Sequence, residues 1–150
     1  LNQHLADTFD LYTQTKQAHW NVKGPQFYQM HQLFDELAEE VFKYVDTLAE
    51  RVTALGGAAK GTTRLASSSS RLEEFPSGGV EGMQCVQELA RRYAKLAAST
   101  RSAIDTAVQA GDQGTSDIFM GMVRDLDKSL WFLEAHTQQA AGRAGIQRAA

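Results

Sequence analysis

Residues 26–55 read QFYQMHQLFDELAEEVFKYVDTLAERVTAL, an uninterrupted stretch between Pro25 and Gly56 with no glycine or proline inside it. Turning about 100° per residue from His31 gathers Leu33, Phe34, Leu37, Val41, Tyr44, Val45, Leu48, Val52 and Leu55 between about 200° and 320°. A continuous apolar stripe of this kind predicts a long helix with one side in a bundle core. On the opposite side His31, Asp35, Glu39, Asp46 and Glu50 fall within about 100° of each other. Phe42 and Ala49 sit among them, which predicts a second, partly polar interface rather than a fully solvated face.

Working outward, the helix stops on Leu55-Gly56-Gly57, a glycine C-terminal signal. Residues 2–22 form the preceding helix, separated from it by the short turn Lys23-Gly24-Pro25. Residues 56–81 are a loose crossover holding Ser67-Ser68-Ser69-Ser70 and Pro76-Ser77-Gly78-Gly79, with room for a short helix. A third long helix over 82–110 carries Met83, Val86, Leu89, Tyr93, Leu96, Thr100, Ile104 and Val108 at three-four spacing. A fourth, over 115–141, starts on Thr115 or Ser116 as cap and buries Ile118, Met122, Leu126, Leu130 and Leu133. No run alternates with period two. The fold class is all-α: a single domain over 1–150, a ferritin-like four-helix bundle with one long crossover.

Composition narrows the function classes. Net charge is −3 with 43% hydrophobic and 22% charged residues, an ordinary globular balance and not the strongly basic one of a nucleic-acid module. One cysteine, Cys85, rules out an internal disulfide framework and a cysteine-cluster zinc site, and its apolar helix predicts a small buried hydrophobe. No apolar run approaches the roughly 18 residues of a membrane span, so no membrane partner is expected. The chain opens on Leu1 without a secretory leader. A cytoplasmic protein whose natural N-terminal tail is missing is the expectation, with nucleoid association left open.

The chemistry is expected on the polar face of residues 26–55. His19 lies on the preceding helix, and the turn at residues 23–25 is midway between it and His31, so antiparallel packing sets both imidazoles at one height. Two imidazoles and a carboxylate at matched height form a metal-ligand constellation; carboxylates alone would read as a solvated acidic surface. Asp46 and Glu50 lie about 22 and 28 Å along the helix from His31, too far to join the same site within one chain. Two copies packed antiparallel about a twofold near residue 40 would bring His31 and Asp35 of one against Asp46 and Glu50 of the other, generating two equivalent sites. Mixed imidazole and carboxylate ligands with room for water suit iron better than calcium or structural zinc. Glu-x-x-His, the motif of in-bundle di-iron centres, is missing from the sequence.

At these residues the sequence resembles the Dps family of mini-ferritins. The matching motifs are His19-Trp20-Asn21-Val22-Lys23-Gly24, then Phe27, His31 and Asp35, then Asp46 and Glu50-Arg51, with Arg124-Asp125-Leu126-Asp127-Lys128 and Leu130-Trp131-Phe132 near the end. The resemblance implies a hollow homo-dodecamer of tetrahedral symmetry and a ferroxidase centre at the twofold. It takes His19, His31 and Asp35 from one subunit and Asp46 and Glu50 from its partner. It further implies Fe(II) as substrate, hydrogen peroxide preferred over dioxygen as oxidant, and Fe(III) mineral stored inside. Trp20 is then a packed interface aromatic or an electron relay. Glu36, Glu39 and Glu40 are candidate mineral-nucleating carboxylates, and Asp117 and Asp125, about 12 Å apart with Gly121 between them, are candidate pore residues.

Three functions compete: an iron-oxidising and storing enzyme, a nucleoid-packing DNA-binding protein with a secondary iron site, and a purely structural helical oligomer. The second needs a basic tail, and the C-terminal end offers Arg143 and Arg148 alone. The third leaves His19 and His31 at one level as coincidence. His4 and His136 are expected to pack rather than ligate.

Overall fold

The computed structural model describes residues 1–78 and 81–146. Five helices are present: α1 (Asn2–Asn21), α2 (Phe27–Ala54), α3 (Thr63–Ser69), α4 (Gly82–Gln109) and α5 (Gln113–Ile146). α1 pairs with α2 and α4 with α5, the pairs meet through α1–α4 and α2–α5, and α3 lies against α1. Among the described residues there is no strand, and no helix is long and apolar enough to cross a membrane. Arg148 lies outside the described residues.

Helix ends follow from local chemistry. Gly56 adopts φ +80°, Gly57 donates its N–H to Val52 and Gly56 to Thr53, the paired bonds that satisfy the last carbonyls of a helix through a left-handed residue. The same device ends α4, where Gly111 (φ +73°) bonds back to Val108 and Asp112 to Ala107. Asp112 then begins the next helix: its carboxylate accepts the Thr115 N–H at 3.0 Å and the Thr115 hydroxyl at 2.5 Å. The start expected at Thr115 or Ser116 is therefore corrected. Asp112 supplies the capping oxygen, and both downstream residues are buried in the first turn. These bonds, with Arg51 adding to them, bring the Asp112 carboxyl down to about 2.

The core contains Phe34, Leu37, Val41, Leu48 and Val52 from α2 with Leu11, Leu89, Tyr93, Leu96, Met122 and Leu133. Cys85 is buried among them, and that burial pushes its thiol up to about 11. Two residues of the apolar stripes do not join: Leu55 and Val108 are exposed, because each falls in the turn where its helix ends. The crossover is anchored by buried charge. Asp7 is buried and accepts from the Arg71 backbone N–H and guanidinium. Arg92, equally buried, donates to the carbonyls of Glu73 and Glu74, to Gln14 and to Glu88, and lies 5.4 Å over the Phe75 ring. Without these partners Asp7 and Arg92 would be stranded as desolvated charges, so the contacts fix where the crossover runs.

His4 packs rather than ligates, with its ring 4.8 Å from that of Phe119 and its Nε2 buried without a hydrogen-bond partner. Burial is the main cause that lowers its proton affinity in the folded chain. The unfolded chain therefore takes up the proton first as pH falls below about 6.5, and the His4 contribution to stability is present above that pH and lost below it. We expect the thermal midpoint of the wild type to fall between pH 7 and pH 5 more steeply than that of His4→Gln. Parallel pH profiles for the two would exclude His4 as the source.

Candidate metal centre

α1 ends at Asn21 and α2 begins at Phe27, so the last turn of one lies beside the first turns of the other. His19 and His31 meet across this corner with their rings stacked at 3.7 Å and 19°. Each Nδ1 bonds the other residue's backbone carbonyl: His19 to His31 at 2.7 Å, His31 to His19 at 2.9 Å. The His19 carbonyl is available because it is among the last four of its helix, which have no intrahelical donor. A carbonyl only accepts, so both Nδ1 atoms carry hydrogen. In the neutral imidazoles both Nε2 lone pairs are left for a cation, and the carbonyl bonds fix tautomer and ring orientation as they do in metal-ligating histidines. Phe27 extends the stack, 5.1 Å from His31.

Asp35 lies one turn further along α2 and is held by Lys16, whose Nζ donates to Oδ1 at 2.5 Å. This hydrogen bond is the main cause that keeps the Asp35 carboxyl below the usual carboxylate range. Lys16 also lies 5.9 Å from the centre of the Trp20 ring, which is 65% exposed. Lys16 escaped the sequence reading, although it precedes His19 by three residues, the spacing that puts two side chains on one helix face.

The remaining candidates are not gathered here. Asp46 and Glu50 are exposed further down α2, and among the described residues no group of three or more His, Cys, Asp or Glu side chains could hold a metal ion within one chain. Arg51, next to Glu50, turns the other way and bonds Asp112 and Thr115 at the start of α5. Asp117 is exposed on α5, whereas Asp125 is half-buried and accepts the Tyr44 hydroxyl at 2.5 Å. Burial, then this bond, drives the Tyr44 phenol well above its ordinary value. Glu36 and Glu39 are exposed, and Glu40 pairs with Lys43 at 2.6 Å. His136 donates Nδ1 to the Phe132 carbonyl one turn back on its own helix.

Two helical hairpins joined by a crossover, with an imidazole pair at the corner of the first, define a ferritin-like protein, and residues 1–142 match the family model described as Ferritin-like domain. Within that class the relatives are specific. The chain is 47% identical over 139 residues to the DNA protection during starvation protein of Agrobacterium fabrum, covering 93% of this chain and 86% of that one. It is 34% identical over 140 residues to DNA protection during starvation protein 2 of Bacillus anthracis, covering 93% and 94%. The crystal structure of Dps from Staphylococcus aureus superposes with a TM-score of 0.85 at 36% identity, covering 90% of each chain. The chain belongs to the Dps family of mini-ferritins.

Proposed function

We propose that this mini-ferritin oxidises Fe(II), with hydrogen peroxide as preferred oxidant, and stores the Fe(III) as mineral inside a hollow homo-dodecamer in the cytoplasm. The observation that carries the reading is the reciprocal histidine pair. Two imidazoles with Nδ1 tied to backbone leave both Nε2 atoms for metal beside an ionised carboxylate. Fe(II) is substrate here, and imidazole with carboxylate is a donor set that accepts it. His19, His31 and Asp35 supply one half of the site, and the partner subunit's Asp46 and the partner subunit's Glu50 the other. Lys16 holds Asp35 ionised and oriented until iron takes its place. Two ferrous ions give one electron each to a single peroxide, which takes up two protons and leaves as two waters, so no hydroxyl radical is released. Trp20 packs in the twofold contact beside this site. Asp117 and Asp125 are assigned to the entry path, where carboxylates raise the local cation concentration. Glu36, Glu39 and Glu40 offer oxygens for mineral growth.

The test is anaerobic Fe(II) addition followed by peroxide, read by Fe(III) absorbance and spin trapping. Consumption of two irons per peroxide with little trapped radical is expected; oxidation no faster than in buffer would refute the reading.

The names of the relatives raise DNA as a second partner. With 15 basic against 18 acidic residues, a net charge of −3, the chain has no cationic excess with which to displace counterions from a duplex. We expect this 150-residue chain to leave plasmid DNA unshifted in a gel at about 150 mM salt, where charges beyond roughly 8 Å are screened. Tight complexes there would establish a binding surface on the folded protein and favour the nucleoid-packing function.

A further inference from the structure

The far end of the crossover closes on the corner that carries the two histidines. Glu81 pairs with Lys23 as an isolated parallel bridge, and the Gly82 N–H donates to the Lys23 carbonyl at 3.1 Å. Lys23 belongs to the turn between His19 and His31, and Met30 is the residue before His31. Gly82 opens α4 and is buried against both. A Cβ at this position would lie 2.3 Å from Met30 Sδ, 3.3 Å from Met30 Cε and 3.6 Å from the Lys23 carbonyl oxygen. The first distance is shorter than real Cβ contacts, so a side chain at residue 82 forces a displacement.

We propose that Gly82 is a positioning residue for iron oxidation: a backbone without a side chain lets the start of α4 seat against the α1–α2 corner and keeps His19 and His31 in register for the metal. The proposal rests on the histidine pair being one half of the iron site, as assigned above. Gly82 supplies no ligand and acts through Lys23 and Met30.

The physical basis is a wedge. A methyl group at residue 82 stands between the turn that follows His19 and the first turn of α2, which carries His31. Met30 is 2% exposed and part of the core, so its side chain has no solvent to retreat into, and a close-packed interior passes the displacement on. Turning its terminal methyl group does not clear the contact, because the clash is with Sδ. Either the whole side chain swings toward the cavity of about 210 Å³ that it lines with Gln26, Gln29 and His136, giving up its packing, or the start of α2 moves off α4. The second route carries His31 with it. The reciprocal bonds of the pair, 2.7 and 2.9 Å long, weaken once stretched past about 3.2 Å. Helix propensity works in the opposite direction, since alanine favours a helix over glycine, so a loss in Gly82→Ala is a loss of fit.

The test compares wild type, Gly82→Ala, Met30→Val and the double variant as assembled protein, with particle mass read by light scattering. Co(II) is titrated anaerobically and followed by its d–d absorption, and the initial rate of peroxide-driven oxidation is then measured against Fe(II) concentration. In Gly82→Ala the Co(II) dissociation constant and the Fe(II) half-saturation should both rise about tenfold or more, the scale of loss when groups that orient metal ligands are disturbed. Its Co(II) band should shift as well. Met30→Val removes Sδ and should behave as wild type, and combined with Gly82→Ala it should recover both quantities. Leu89→Ala, a core truncation elsewhere in α4, should lower the thermal midpoint and leave the Co(II) band in place, which separates positioning from stability. Wild-type Co(II) binding and half-saturation in Gly82→Ala would overturn the proposal while leaving iron oxidation standing. So would a loss that the double variant does not recover, whether or not Gly82→Ala itself assembles. A wild type that neither binds Co(II) nor oxidises iron would instead remove the iron site, and this proposal with it.

Discussion

Homo-oligomers of His31→Ala and of Asp46→Ala should both lose rapid peroxide-driven iron oxidation, and co-assembling the two should bring part of it back. The recovery follows from symmetry. In an isologous dimer each of the two sites takes His31 from one subunit and Asp46 from the other. A mixed dimer therefore holds one site with both ligands missing and one with both intact. Random one-to-one mixing makes half the dimers mixed, so about a quarter of all sites are restored. A site built within one chain predicts no recovery at any mixing ratio. Both substitutions remove polar-face side chains and leave the buried stripe of Phe34, Leu37, Val41 and Leu48 untouched, so helicity should be unchanged. The measurement is Fe(III) absorbance after peroxide addition to shells dissociated, mixed and reassembled. Full activity in either homo-oligomer, or none in the mixture, would place the ligands elsewhere.

The helices and their pairing were legible because their signals are local and periodic. The apolar stripe of α2 and the Leu55-Gly56-Gly57 stop needed nothing beyond helical geometry, and the turn at residues 23–25, which contains the midpoint between His19 and His31, set their common height. Contacts between distant parts of the chain were not legible. Nothing in the composition of the crossover says that Arg92 will hold the carbonyls of Glu73 and Glu74, or that Asp7 will be buried against Arg71. The start of α5 was misplaced because Asp112, Thr115 and Ser116 are all good caps, and the tight glycine end of α4 decides among them. The Lys16–Asp35 pair joins two helices across nineteen residues, a pairing that requires the rotation of α1 about its own axis as well as its height.

Phe42→Asp should break the shell and the chemistry together, although Phe42 is no ligand. The ring is 48% exposed in the single chain, 4.7 Å from Tyr12, and lies on α2 within about 20° of the direction of His31. It is close to residue 40, where the twofold of the proposed dimer crosses the helix. Burying the exposed half of such a side chain contributes about 1 kcal/mol, and an isologous contact counts it twice. An aspartate there forfeits that burial from both subunits and adds two carboxylates to a face already carrying Glu39 and Asp46, where like charges repel. Twelve copies of a 16.5 kDa chain make a particle of about 200 kDa, so light scattering should show a drop from that mass to small species. Rapid iron oxidation should vanish in the same sample, because the partner subunit's Asp46 and the partner subunit's Glu50 no longer reach His31. Phe42→Leu, which keeps an apolar side chain, should retain both mass and activity. A Phe42→Asp protein that keeps the large particle and its oxidation rate would mean that α2 does not form the contact. A small species that still oxidised iron rapidly would mean that one chain completes the site alone.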